Sequence, residues 1–193
     1  MISFIKGRLV EKAPTEVIID SNGIGYQVNI SLNTYSLITD SESIMLYTYL
    51  QVKEDSHTLF GFADKLEREI FKLLISVSGI GANTARNMLS YIHPKELMQA
   101  IVQEDVKAIQ AIKGIGLKTA QRVIIELKEK VMKMHDLDEI SVAHHNTNAD
   151  EALSALEVLG FVRKTAEKTV KRILEQNPEA GVEQIIKLAL KNL

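Results

Sequence analysis

The motif that most restricts how this chain can fold is one it carries twice, 35 residues apart: Gly79-Ile80-Gly81-Ala82-Asn83-Thr84-Ala85 and Gly114-Ile115-Gly116-Leu117-Lys118-Thr119-Ala120. Over the eleven positions 79–89 and 114–124 five residues are identical: both glycines, the Ile between them, the Thr and the Ala. Apolar residues at helical spacing flank each copy on both sides. A Gly-x-Gly between two helices reverses the chain in a very short loop, because glycine adopts backbone angles closed to other residues. The first amides of the following helix are left unpaired and facing outward. With the positive end of the helix dipole they form an anion site suited to a phosphate. One copy reads equally well as a plain helix-breaking turn with its Ile plugged into the core. Two copies in tandem point to a partner carrying phosphates at regular intervals, and nucleic acid is the obvious one.

The charge distribution points the same way. Net charge over the 193 residues is −2, which argues against a protein that simply coats DNA. Residues 1–63 carry four Lys/Arg and seven Asp/Glu, residues 64–134 twelve and eight, and residues 135–193 seven and ten. The basic excess thus falls in the segment that holds the repeated motif. There is no cysteine, which excludes disulfides, thiolate metal sites and a cysteine nucleophile. The start, Met1 to Arg8, lacks the apolar run of a signal peptide, and no stretch approaches the roughly 18 apolar residues of a membrane span, so a soluble cytoplasmic protein with no membrane partner is expected.

Residues 1–63 read as strands: Phe4 to Val10, Thr15 to Asp20, Gly23 to Ile30, Ser43 to Val52 and Thr58 to Phe62, broken by Ala-Pro and Ser-Asn-Gly turns. A short helix over Leu32 to Ile38 follows the third. Five strands with a helix after the third are the order of an OB-type barrel, although an SH3-like barrel fits the pattern too. From Asp64, a candidate N-cap, to about Met134 the period becomes helical, giving roughly five helices in two helix-hairpin-helix units. Residues 135–148 are polar and without clear period, which reads as a flexible linker. Residues 149–193 make three short helices, Ala149 to Leu159, Lys164 to Gln176 and Val182 to Leu193, a bundle small enough to expose apolar surface to a partner. The expected class is multidomain α+β: an OB-type barrel (1–63), an all-α tandem helix-hairpin-helix domain (64–134), the linker (135–148) and a C-terminal three-helix, UBA-like bundle (149–193).

This order resembles the RuvA family, whose members bind Holliday junctions. Gly23-Ile24-Gly25-Tyr26, Glu54-Asp55 before Leu59-Phe60-Gly61-Phe62, both hairpins and Leu159-Gly160-Phe161 match it, so the resemblance covers the whole chain. It implies a homotetramer, one or two per junction, that holds four-way DNA flat and open without regard to sequence. It also implies that residues 149–193 contact the hexameric AAA+ motor RuvB, and that a resolving nuclease, RuvC, acts on the same junction. No cofactor and no catalytic site are implied, and no Gly-x4-Gly-Lys-[Ser/Thr] phosphate loop occurs in the sequence. A partner must then supply ATP hydrolysis.

The DNA-binding candidates in the first hairpin are the amides of Gly79, Gly81 and Ala82, with Asn83, Thr84 and Arg86. In the second they are Gly114, Gly116 and Leu117, with Lys118, Thr119 and Arg122. Lys118 and Arg122 lie four apart, on one helical face. Glu54 and Asp55 suit an ordinary solvated turn; the resemblance makes them an acidic pin that repels phosphates at the junction centre and disfavours plain duplex. In the tail, Leu156, Leu159, Phe161, and with them Ile185 and Leu188, are candidates for the motor surface or for the bundle's own core. Phe161, just after Gly160, is the foremost, as an exposed ring.

Two other functions fit parts of the pattern. In helix-hairpin-helix glycosylases and lyases a Lys two residues beyond the second hairpin glycine is the nucleophile, with an Asp some twenty residues on; Lys118 and Asp136 or Asp138 fall near those places. Such a Lys needs a desolvated pocket, which an Asp in a loose linker does not help to build. A general single-strand-binding barrel would use Tyr26, Tyr47, Tyr49, Phe60 and Phe62 as a stacking platform, against their reading as core or subunit contacts. His144-His145 lack a third ligand at metal spacing, so no metal is expected.

Overall fold

The computed structural model describes residues 1–39, 43–140, 147–177 and 180–192. They divide into two compact units, Met1–Met134 and His135–Leu193.

In the first unit, strands β1 (Phe4–Ala13), β2 (Glu16–Ser21), β3 (Ile24–Ile30), β4 (Ser43–Val52) and β5 (His57–Phe62) close into a barrel in the order β1-β2-β3-β5-β4. Helix α1 (Leu32–Leu37) follows β3. This is the OB-type order expected from the spacing. All pairings are antiparallel except β3 with β5, where Asn29 faces Phe60 and Ile30 faces Gly61. Strand alternation sends Val17, Ile19, Val28, Ile30, Ile44 and Leu46 inward. The β2–β3 turn is set by Asn22 and Gly23, both at positive φ (53° and 87°), the two-residue geometry whose twist matches antiparallel strands.

Five helices follow: α2 (Lys65–Ile75), α3 (Ala82–Tyr91), α4 (Pro94–Val102), α5 (Val106–Gln110) and α6 (Leu117–Ile140). Asp64 caps α2 as expected, its carboxylate accepting from the Glu67 amide at 2.7 Å. The division at 63/64 is not a division of cores. Phe60 and Phe62, at the end of β5, pack on Phe71 of α2 with ring centroids 5.1 and 4.9 Å apart, and Tyr49 of β4 meets the same ring at 5.5 Å. These phenylalanines belong to the helical core rather than to the barrel's. Of the aromatics that a stacking platform would use, Phe60 and Phe62 are buried, and Tyr47 lies beneath the cations of Lys65 and Arg68.

A buried carboxyl crosses the same seam. Glu67 of α2 accepts hydrogen bonds from the hydroxyls of Ser31 and Thr34, the latter at 2.6 Å, at the start of α1. Burial pushes its carboxyl above the usual range, and the hydroxyl donors only partly offset this. A folded-state value above the unfolded one means that the native state holds its proton to higher pH. Stability of this unit therefore falls as pH rises above about 4.5 through the raised value. Glu67→Gln removes the ionisation and should flatten that decline in a series of melts across pH. An unchanged slope would assign it to other groups.

The second unit contains α7 (Thr147–Val158), α8 (Arg163–Gln176) and α9 (Val182–Asn192) around Leu156, Ala166, Val170, Ile173, Ile185 and Ala189. Gly160, at φ 95°, ends α7, with the Phe161 amide returning to the Leu156 carbonyl at 3.0 Å. The linker expected over 135–148 is helical at both ends, since α6 runs to Ile140 and α7 begins at Thr147. No Gly or Pro stands in 135–140 to stop α6. Residues 141–146, with the histidine pair, lie outside the described residues.

Candidate nucleic-acid interface

The two hairpins are built alike to within tenths of an ångström. Gly79 and Gly114 both sit at φ 91°. The Ile80 amide donates to the Val77 carbonyl at 3.1 Å, and the Ile115 amide to that of Ile112 at 3.0 Å. Ala85 returns to Gly81, and Ala120 to Gly116, both at 2.9 Å, as the first turn of each following helix. Ile80 and Ile115 are 5% and 6% exposed, so the middle residue of each motif is a core plug that anchors the turn. The amides of residues 82–84 and 117–119 precede the first helical acceptor. Gly81, the N-cap of α3, supplies no side chain to take them. Around these amides Asn83, Leu117 and Lys118 are exposed, while Thr84 and Thr119 are half-buried. Backbone donors, a helix dipole and, in the second copy, the exposed Lys118 ammonium give both turns the chemistry of an anion cradle.

The arginines of the two hairpins behave differently. Arg86 turns away from its cradle: one guanidinium nitrogen donates to Asn29 Oδ1 at 2.9 Å and to the Thr15 carbonyl at 3.2 Å, both in the barrel. Arg122, on α6, donates to the Ser78 carbonyl at 3.0 Å, just ahead of Gly79, while its other face meets Glu126 at 4.0 Å. It is half-exposed and ties the second hairpin to the first. Neither contact has a sequence signature, because the partners lie 57 and 44 residues away.

Glu54 and Asp55 occupy the exposed bend between β4 and β5, closed by the Lys53 amide on the Ser56 carbonyl at 2.8 Å. Asp55 accepts from the Ser56 hydroxyl at 3.2 Å, and among the described residues neither carboxylate forms an ion pair. Both charges project from the tip of a two-stranded ribbon.

In the second unit, Leu156 and Ile185 are wholly buried in the bundle core, so they offer no surface. Leu188 and Phe161 are half-buried against that core; the ring of Phe161 is not free as expected, because the Gly160 turn folds it back. Leu159 is exposed, as are its neighbours Val158 and Val162, which the sequence alone did not single out. Lys118 stands exposed on the surface and not in the desolvated pocket that an amine nucleophile requires. No helix among the described residues is long and apolar enough to cross a membrane.

Comparison with known proteins covers most of the chain. Residues 1–61 match the RuvA N terminal domain, residues 71–129 the SAM-like helix-hairpin-helix tandem, and residues 147–193 the RuvA C-terminal domain. The chain is 65% identical to the Holliday junction branch migration complex subunit RuvA of Flavobacterium psychrophilum, 62% to that of Christiangramia forsetii and 48% to that of Bacteroides thetaiotaomicron, each over all of both chains.

Proposed function

The chain belongs to the RuvA family, and from this we propose that it binds four-way DNA junctions through phosphate contacts, as the non-catalytic subunit of a branch-migration complex. The observation that carries the reading is the pair of matching cradles, with Gly79 and Gly114 at one backbone angle and backbone amides as the first donors at each turn. They supply grip without sequence preference. The acidic bend supplies the choice of substrate, repelling a phosphate backbone that runs straight across it and fitting the open centre of a junction. A homotetramer, alone or paired face to face, places four such bends around that centre, in the cytoplasm where the chromosome lies. Residues 149–193 recruit the RuvB motor through the exposed Val158, Leu159 and Val162, with Phe161 at their base, and a RuvC-type resolvase shares the junction. The DNA contacts are the amides of residues 79, 81–84, 114 and 116–119, with the side chains of Asn83, Thr84, Lys118 and Thr119.

A gel-shift comparison of a four-way junction, a linear duplex and a single strand of equal length tests the reading. The junction should bind tightest. A preference for the single strand would favour a strand-binding barrel, and an adduct trapped by borohydride on abasic duplex would favour a lyase. Neutralising the bend with Glu54→Gln and Asp55→Asn should raise duplex affinity about tenfold at low salt. Two carboxylates about 6 Å from phosphates in a water-like dielectric contribute roughly 0.7 kcal/mol of repulsion each. Duplex affinity that stays put would remove the bend from the selectivity argument.

A further inference from the structure

We infer that Arg86 is a positioning residue for junction selection and not a phosphate contact, and that it acts through Asn29. Arg86 stands on the second turn of α3, one turn beyond the amides of the first cradle. Its guanidinium is committed to the barrel, on the Asn29 side chain and the Thr15 carbonyl. Asn29 is well placed to pass the constraint on. It lies where β3 meets β5 to close the barrel, and its Nδ2 donates to the Leu59 carbonyl at 3.3 Å. Leu59 is on β5, the strand that leaves the acidic bend. One chain of contacts therefore runs from the first cradle through Arg86 and Asn29 to β5, the strand that leaves the bend of Glu54 and Asp55. The Thr15 carbonyl, held also by the Ile30 amide at 3.0 Å, gives the guanidinium a second fixed point on the barrel.

The geometry matters because selection depends on distance. The cradle attracts a phosphate backbone and the bend repels one, so their separation decides which DNA shape satisfies both. Arg122 stiffens the same assembly on its other side through the Ser78 carbonyl, so the two cradles and the bend are held in one frame. Loosening the Arg86–Asn29 contact leaves every phosphate donor present and lets the bend move relative to the first cradle. Selectivity falls, while the count of phosphates held is unchanged.

This rests on the junction-binding reading above, and the experiment separates the two. Junction and duplex affinities are measured against salt for the full chain and for Arg86→Met, Asn29→Ala and the double variant, with a thermal melt of each to report folding. The expected result is a junction-to-duplex ratio at least fivefold lower in each single variant, no further fall in the double, and an unchanged salt slope. A phosphate contact by Arg86 would instead make Arg86→Met shallower by about 0.9 for each bound chain, and Asn29→Ala, which releases the guanidinium from one of its two partners, would keep or improve binding. Either outcome, or a ratio that does not move, overturns the proposal. Should Arg86→Met fail to fold, Asn29→Ala alone decides, since it leaves the charge in place. A parent chain with no junction preference would sink the functional reading instead.

Discussion

Replacing Phe71 with Ala is expected to remove about 3–5 kcal/mol from the stability of the unit Met1–Met134, the range for deleting a fully buried phenyl ring from a core. The ring has no exposed surface and is met by three aromatic side chains, two from β5 and one from β4. Aromatic contacts of this kind add about 0.5–1.5 kcal/mol beyond area burial. Because a domain's whole stability is about 5–15 kcal/mol, the variant sits near the edge of folding. Phe71→Leu, which keeps most of the volume, should cost far less. The measurement is a urea titration followed by tyrosine emission. All five tyrosines (Tyr26, Tyr35, Tyr47, Tyr49 and Tyr91) precede residue 135, so the signal reports the first unit alone. A loss under about 1 kcal/mol would mean that barrel and hairpins keep separate cores after all.

The barrel and hairpins were legible because their signals are local. Alternation marks the five strands, Asn22-Gly23 marks a hairpin turn, and the repeated Gly-Ile-Gly marks two helix reversals whose central Ile goes inward as expected. What stayed hidden depends on residues distant in sequence. Phe60 and Phe62 continue a strand pattern, and nothing in that pattern says which of two cores they enter. Arg86 and Arg122 stand where a phosphate contact is the natural reading of a basic residue beside a cradle, and only the fold reveals a carbonyl within reach. Leu156 and Leu159 look alike as apolar residues at helical spacing, yet Leu156 lies within α7 and is buried whereas Leu159 follows the last residue of that helix and is exposed. Glu67 is the sharpest case. An acidic residue in the first turn of a helix is ordinarily solvated and dipole-favoured, whereas this one is inside, held by Ser31 and Thr34.

Raising salt from about 50 to 200 mM should weaken junction binding by roughly four orders of magnitude, and the size of that loss reads the assembly. Each chain presents two cradles, at Gly79–Gly81 and Gly114–Gly116. If each neutralises one phosphate, affinity falls with a log–log slope of about −0.9 per phosphate on duplex arms. A lone chain would then show a slope near −2 and lose only about tenfold over a fourfold rise in salt. The proposed four chains around one junction would engage about eight phosphates, for a slope near −7 and a loss of about 10⁴-fold. Lys118→Ala, which removes the ammonium from the second cradle but keeps its amides, should shallow the slope by up to about 0.9 for each chain bound. Isothermal binding at five or six salt concentrations, with the bound mass read independently by light scattering, gives slope and stoichiometry together. A slope near −2 with a tetramer bound would mean that most cradles sit idle on the DNA. A steep slope that Lys118→Ala leaves untouched would place the phosphate contacts elsewhere, on other exposed lysines of α6 such as Lys130 and Lys133. Either result would undo the assignment of grip to the repeated glycine turns, because the repeat earns that role only if its number of copies, multiplied by the number of chains, equals the number of phosphates held.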